Sequence, residues 1–127
     1  MQDEDIISRQ IIIAAIEVHK TLGGPGLLES VYEEALAWEL EQQGLNIERQ
    51  KSLPIEYKSV LLNSLLRIDL LVQGLVIVEC KATSAYHPIY EAQVLTYLRL
   101  TKLKLGMVIN FGERLVKNGI KRVVNNL

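Results

Sequence analysis

The sequence has little cysteine or proline and no long uninterrupted apolar run. Its single cysteine excludes an internal disulfide and suits a reducing compartment. No apolar run approaches the roughly 20 residues that a membrane-spanning helix needs, and the acidic start Met-Gln-Asp-Glu-Asp is unlike a signal peptide. Only three of 127 residues are proline, and no proline-rich linker divides the chain. We therefore expect one cytoplasmic domain over residues 1–127, without membrane contact.

An excess of positive charge is also missing. The 14 lysine and arginine residues are outnumbered by 15 acidic residues, and the net charge is −1. Tight, sequence-independent nucleic-acid binders depend mainly on Lys and Arg, so this class is disfavoured. An enzyme that offsets phosphate charge with a metal ion is not excluded. The histidines and the cysteine lack zinc-ligand spacing, and the chain contains no P-loop or dinucleotide fingerprint.

The apolar pattern predicts a globular mixed α/β fold. Hydrophobic residues make up 49% of the chain, and helical spacing covers residues 6–22 and 27–43, with Gly44 as a C-terminal cap. Strands are predicted over residues 46–53, 54–62, 66–71 and 75–82, with a turn at Asn63-Ser64. A helix starting at Pro88 runs to residue 101 and a strand covers 105–111. Residues 116–126 fit a further strand or a helical turn.

Charged residues mark two neighbouring predicted strands. Arg67 and Asp69 lie on one, and Glu79 and Lys81 lie on the next. Residues two apart in a strand project to the same face, so Glu79 and Lys81 point together and Cys80 points away. Two carboxylates and an ammonium on one sheet face are typical of a site that holds a divalent cation and a water beside a phosphate. The alternative is a solvated face with a surface ion pair.

The length of the connecting loop decides whether Asp69 and Glu79 meet. A loop of two or four residues would put them on opposite faces of the sheet. A three-residue loop, Val72-Gln73-Gly74, pairs Asp69 with Ile77 and places Glu79 diagonally on the same face. In this register, the other face is apolar. It would consist of Ile68, Leu70, Val76, Val78 and Cys80.

Two helices each offer further polar candidates. Glu29 shares a stripe with Tyr32, Leu36 and Leu40 on the second helix, whereas Glu33 is expected to face outward. Glu29 on that stripe fits either a site role or favourable placement near the helix N-terminus.

On the third helix, Gln93 and Tyr97 lie one turn apart. They fit either a site role or a packing face.

These motifs together resemble a known family, the small bacterial and archaeal GxxExxY proteins, which are placed in the PD-(D/E)XK nuclease superfamily. The resemblance extends over about residues 6–125. It is carried by His19-Lys20-Thr21-Leu22-Gly23, Gly26-x-x-Glu29-x-x-Tyr32, Arg67-x-Asp69-Leu70, Glu79-x-Lys81 and Gln93-x-x-x-Tyr97.

The resemblance implies a restriction-endonuclease-like core of order α-β-β-β-α-β, here with an added N-terminal helix. By matching positions, Asp69 and Glu79 would bind Mg²⁺, with Mn²⁺ as an alternative, and Glu29 would bind the ion or its waters. Lys81 would orient the attacking water, and Gln93 would line the site.

Two functions compete at this point. The first is a Mg²⁺-dependent nuclease acting on nucleic acid, in which Arg67 and Tyr97 would contact the substrate phosphate; Arg67 could instead pair with Asp69 or Glu79. The second is a catalytically silent binding or assembly module on the same fold. A homodimer would have apolar contacts available at Leu103, Leu105 and Val116.

Overall fold

The computed structural model describes residues 3–127, so Met1 and Gln2 of the predicted 1–127 domain lie outside the described residues. Three α-helices, five strands and a short 3₁₀ helix make up this range. In chain order they are α1 (Asp3–Leu22), α2 (Glu29–Gln42), β1 (Ile47–Tyr57), β2 (Val60–Val72), β3 (Val76–Lys81), α3 (Ile89–Thr101), β4 (Leu105–Asn110), the 3₁₀ helix (Val116–Gly119) and β5 (Ile120–Val124).

The five strands form one mixed sheet in the order β1-β2-β3-β4-β5. Strands β1, β2 and β3 are antiparallel neighbours, whereas β4 runs parallel to β3 and β5 returns antiparallel to β4. The parallel step requires a crossover, and α3 provides it. The predicted mixed α/β class and the α-β-β-β-α-β core with an added N-terminal helix are confirmed. Within residues 3–127, no helix has the length and apolar character needed to cross a membrane.

Helices cover both faces of the sheet, and the sheet separates the core into two clusters. One cluster joins α1 and α2 to the sheet through residues such as Ile11, Leu36 and Val78. The other joins α3 to the opposite face, where Val94 and Leu98 pack on Ile77. Each strand segment buried on both sides therefore places its side chains in one cluster or the other.

The first hairpin differs from the prediction. We expected a strand break between residues 53 and 54 and a turn at Asn63-Ser64, but the chain turns at Lys58-Ser59, whose φ angles are 48° and 67°. Pro54 is accommodated inside β1 because β1 lies at the sheet edge, where a missing N–H is tolerated. The turn escaped prediction because such left-handed positions favour glycine or asparagine.

The β2–β3 connection keeps the predicted parity but shifts by one residue. Val72 pairs with Val76, so the loop is Gln73-Gly74-Leu75 rather than Val72-Gln73-Gly74. Gln73 and Gly74 both have positive φ, and the Leu75 amide donates to the Val72 carbonyl over 3.0 Å. The loop still has an odd number of residues, and continuing the register places Glu79 opposite Asp69 rather than diagonal to it.

Side-chain alternation in β2 is interrupted at Asp69. Leu70 shares the apolar face of Val78 and Cys80, as predicted, and this face packs under α1 and α2, but Ile68 packs under α3. The β1–β2 register omits Asp69 and Gln50, and Gln50 has a φ of 50°. The prediction for Ile68 is wrong because it assumed an unbroken strand. Instead, β1 and β2 are both irregular where the left-handed Gln50 faces Asp69.

Other assignments were partly right. Gly44 caps α2 with a φ of 86°, and residues 116–126 form both a helical turn and a strand. Leu105 and Val116 were expected at a dimer surface, but both belong to the first core cluster, and Leu103 packs against the second. These residues are occupied by the monomer's own core.

Tyr32 ties the glycine-rich loop before α2 to the core. Its ring is fully buried and stacks on Phe111 with centroids 4.7 Å apart. Its hydroxyl donates to the Gly24 carbonyl over 2.7 Å and accepts from the Leu27 amide over 3.1 Å. One side chain therefore holds both ends of the loop that leads into Glu29.

We expect Tyr32→Phe to lower the free energy of unfolding by about 1–2 kcal/mol, because a carbonyl and an amide lose their partner while the ring stacking remains. Urea denaturation measures the change. Tyr57→Phe is the matched control, because Tyr57 is exposed at the hairpin tip and its hydroxyl has no hydrogen bond within residues 3–127. Equal losses in the two variants would contradict this role of the Tyr32 hydroxyl.

Candidate functional site

Asp69 lies where β2 breaks its regular alternation, and its carboxylate is held by backbone and side-chain donors. The Cys80 amide donates to Asp69 Oδ2 over 2.9 Å, and Gln50 Nε2 lies 3.4 Å from Oδ1. The amide belongs to β3, so the contact joins the two strands at this level. Cys80 itself is fully buried on the apolar side, as predicted, and burial raises the pKa of its thiol.

Glu79 faces Asp69 from β3 and is almost inaccessible, with 5% of its surface exposed. Burial raises the pKa of Glu79 to about 9, and the nearby Asp69 carboxyl group acts in the same direction. The Glu79 carboxyl group is therefore protonated near neutral pH. The structure brings together the two residues that sequence spacing singled out.

Lys81 ends β3 beside this pair. Its ammonium group lies 4.8 Å from the centre of the Tyr90 ring, a cation–π contact. Its charge partly opposes the raised pKa values of Glu79 and Glu29. Within residues 3–127, Lys81 forms no ion pair with a carboxylate inside 4 Å, so its charge is available to a bound anion.

An open cleft of about 540 Å³ contains most of the predicted site residues. It is lined by Ser52, Leu65, Arg67, Asp69, Glu79, Lys81, Gln93 and Tyr97. A neighbouring cleft of about 520 Å³ shares Arg67 and Asp69 with it and contains Glu29 and Glu33. The two clefts thus meet at Asp69.

Glu29 begins α2 and lines the neighbouring cleft together with Asp69, and the Lys81 charge also acts on its carboxyl group. The residue is largely exposed, but partial burial of its carboxyl group raises its pKa, and the charges of Asp69 and Glu33 add to this. Among residues 3–127, no three His, Cys, Asp or Glu side chains form a group that could hold an ion together.

Glu33 is the site residue that sequence reasoning missed. We expected it to face outward, but it is 5% exposed and its carboxylate accepts from Arg49 Nη2 over 3.2 Å and Gln50 Nε2 over 2.8 Å. Since Gln50 also reaches Asp69, this network links α2 to the carboxyl pair. The available signal was its spacing: Glu33 lies four residues after Glu29, on the same side of the helix.

The remaining candidates line the cleft on the α3 side and across β2. Gln93 Nε2 donates to the Tyr97 hydroxyl over 2.7 Å, and burial together with the Glu79 charge raises the pKa of Tyr97. Arg67 is exposed and forms no ion pair with Asp69 or Glu79 within the described chain. The alternative of an Arg67 ion pair is therefore wrong for this structure.

The raised pKa of Glu79 makes the metal-free protein less stable as pH rises. The folded state binds a proton up to about pH 9 that the unfolded chain releases near its ordinary value of 4.5, so the free energy of unfolding falls between these limits. The slope for one proton is at most about 1.4 kcal/mol per pH unit. In EDTA, we expect Glu79→Gln to flatten the decrease in Tm between neutral and alkaline pH and to be more stable than wild type at pH about 8. Exposed Glu34→Gln on α2 is the control, and an unchanged slope in Glu79→Gln would contradict the assignment.

A family comparison agrees with the fold. The sequence model of the PD-(D/E)XK nuclease superfamily matches residues 5–123, a range that includes β2, β3 and α3 with all the cleft residues. Searches of curated proteins and of solved structures gave no match. With nearly the whole length matched, the chain belongs to the PD-(D/E)XK nuclease superfamily.

Proposed function

We propose that this protein is a Mg²⁺-dependent nuclease that hydrolyses phosphodiester bonds of nucleic acid. The observation that carries the proposal is the Asp69–Glu79 carboxyl pair, with Lys81 in the same cleft and without an ion-pair partner in the described chain. Membership of a nuclease superfamily supports nucleic acid as the substrate class. We further propose that residues 1–127 are one domain and that the Gly26, Glu29 and Tyr32 spacing assigns it to the GxxExxY group.

The donor set fits a hard divalent cation. Asp69 and Glu79 offer carboxylate oxygens, and Mg²⁺ is commonly held by one or two carboxylates with the rest of its shell filled by water. Glu29 lies in the adjoining cleft, where it would hold waters of the ion rather than the ion itself. Bound there, Mg²⁺ or Mn²⁺ would polarise a phosphate and lower the pKa of a water molecule.

The chain's own residues would then position the substrate and the water. Lys81 lies in the same cleft as the carboxyl pair and contacts the Tyr90 ring. From this position its ammonium group can orient a water and stabilise negative charge on the phosphate. Gln93 and Tyr97 hold each other through a hydrogen bond and line the same cleft. Arg67 lies at the junction of both clefts and is placed to contact a phosphate oxygen.

Cleavage assays test the proposed reaction. We expect the wild type to cleave single-stranded or duplex DNA or RNA in Mg²⁺ or Mn²⁺, and Lys81→Met to reduce kcat by a factor on the order of 100–1,000 because charge stabilisation is lost. Lys20→Met, an exposed lysine on α1, is the matched control and should retain activity. No cleavage of any of these substrates by the wild type, or equal cleavage by Lys81→Met, would contradict the reaction.

Metal affinity can be measured without turnover. In calorimetric titrations with Mg²⁺ or Mn²⁺, we expect Asp69→Asn to weaken binding at least about tenfold, because one of only two direct carboxylates becomes neutral. Glu29→Gln should weaken binding less, since Glu29 lies in the neighbouring cleft. Binding unchanged in Asp69→Asn would overturn the proposed metal site and favour the catalytically silent module.

A further inference from the structure

A second charged cleft lies between the tip of the β1–β2 hairpin and the C-terminal end of α3. Its volume is about 520 Å³, and its charged lining consists of Lys58, Arg99, Lys102 and a single acid, Glu56. All four side chains belong to exposed residues. In a protein of net charge −1, three cations converging on one cleft form a local positive surface.

These cations have no close acidic partner among the described residues. Within residues 3–127, neither Lys58, Arg99 nor Lys102 has a carboxylate within 4 Å, although Glu56 lines the same cleft. The only other charge-related contact among them places the Lys58 ammonium 5.4 Å from the centre of the Tyr57 ring. The cleft therefore offers unpaired donors to an anionic ligand.

Two of the three cations occupy backbone positions that favour other residues. Lys58 has a φ of 48° in the hairpin turn, and Lys102 has a φ of 61° at the end of α3. Turns and helix ends with this left-handed conformation usually contain glycine or asparagine, which adopt it with less strain. Local backbone preference therefore does not account for lysine at either position.

The same two structural elements line this cleft and the candidate catalytic cleft. The hairpin contributes Ser52 and Arg67 to the catalytic cleft and Lys58 to the basic one, while α3 contributes Tyr97 to the first and, with its C-cap, Arg99 and Lys102 to the second. Tyr97 and Lys102 are about 8 Å apart along the helix. Ser52 and Lys58 are about 20 Å apart along β1. Along a duplex strand these separations correspond to about two to six nucleotides.

We propose that Lys58, Arg99 and Lys102 bind backbone phosphates of the nucleic acid whose scissile bond lies in the catalytic cleft. The inference rests on the proposed nuclease function and adds a grip for the substrate beside the reaction site. Ammonium and guanidinium groups recognise phosphate without reading the bases, so the grip is independent of sequence.

Another set of cations provides a comparison within the same chain. Lys20, Arg114 and Lys117 line a smaller cleft of about 320 Å³ formed by α1, the 3₁₀ helix and the loop before it. No element of this cleft contributes a residue to the catalytic cleft. If charge alone decided nucleic-acid binding, both clefts would bind phosphates. The proposal instead predicts phosphate binding only in the cleft at the hairpin tip, which adjoins the elements of the catalytic cleft.

The test is fluorescence anisotropy with labelled DNA or RNA oligonucleotides, single-stranded and duplex, in EDTA so that hydrolysis does not interfere. Lys58→Asn, Arg99→Gln and Lys102→Gly should each weaken binding severalfold and lower the slope of log affinity against log salt by about one unit. Glu56→Gln should tighten binding. Lys117→Gln is the matched control and should change neither quantity.

Thermal denaturation separates a binding role from a structural one. Because asparagine and glycine suit the left-handed positions, Lys58→Asn and Lys102→Gly should keep or raise Tm while they weaken binding. Three outcomes would overturn the proposed phosphate binding. They are unchanged affinity and salt slope in the three variants, equal losses in Lys117→Gln, and a wild type that binds no oligonucleotide at low salt. If the variants bind more weakly but the wild type cleaves nothing, phosphate binding by this cleft is supported and only the hydrolysis is contradicted. If the wild type cleaves nucleic acid but the variants bind as well as it does, the hydrolysis is supported and the phosphate binding is contradicted.

Discussion

The constraint on which the rest of the site depends is the opposition of two carboxyl groups across the β2–β3 hairpin. Asp69 and Glu79 meet because the loop between their strands has an odd number of residues, which places them opposite each other in the β2–β3 register. Burial keeps the pair from being ionised together near neutral pH. The fold therefore holds two neighbouring carboxyl groups whose repulsion a proton on Glu79 relieves.

Hydrogen bonds from several elements position the groups around this pair. The Cys80 amide holds Asp69 from β3, and Glu33 orients Gln50 toward it from the helix side. Tyr32 anchors the loop that leads into α2 and so sets where Glu29 begins that helix. Thus a tyrosine that contacts no charged group still determines where a carboxylate enters the site.

Local stability and charge placement conflict at several points of the molecule. Glu79 is buried at a position where a neutral side chain would suit the metal-free fold better, and Lys58 and Lys102 adopt backbone conformations that favour asparagine or glycine. Each departure adds a charged group to a cleft formed by the β1–β2 hairpin, β3 or α3. Departures of this kind tend to gather where a protein binds its ligands, because selection for function outweighs local preference there.

By itself, the sequence determined the fold class, the helices and the odd number of residues in the β2–β3 loop. It also determined that Asp69, Glu79 and Lys81 lie in one cleft, because all of these follow from local period and residue spacing. Only the tertiary structure decided what depends on partners distant in the chain. Ile68 changed faces at the irregularity beside the left-handed Gln50. Glu33 is buried where it accepts hydrogen bonds from Arg49 and Gln50. The turn at Lys58-Ser59 lines one cleft together with the end of α3. Such outcomes are set by long-range packing and by left-handed residues other than glycine, which spacing along the sequence does not reveal.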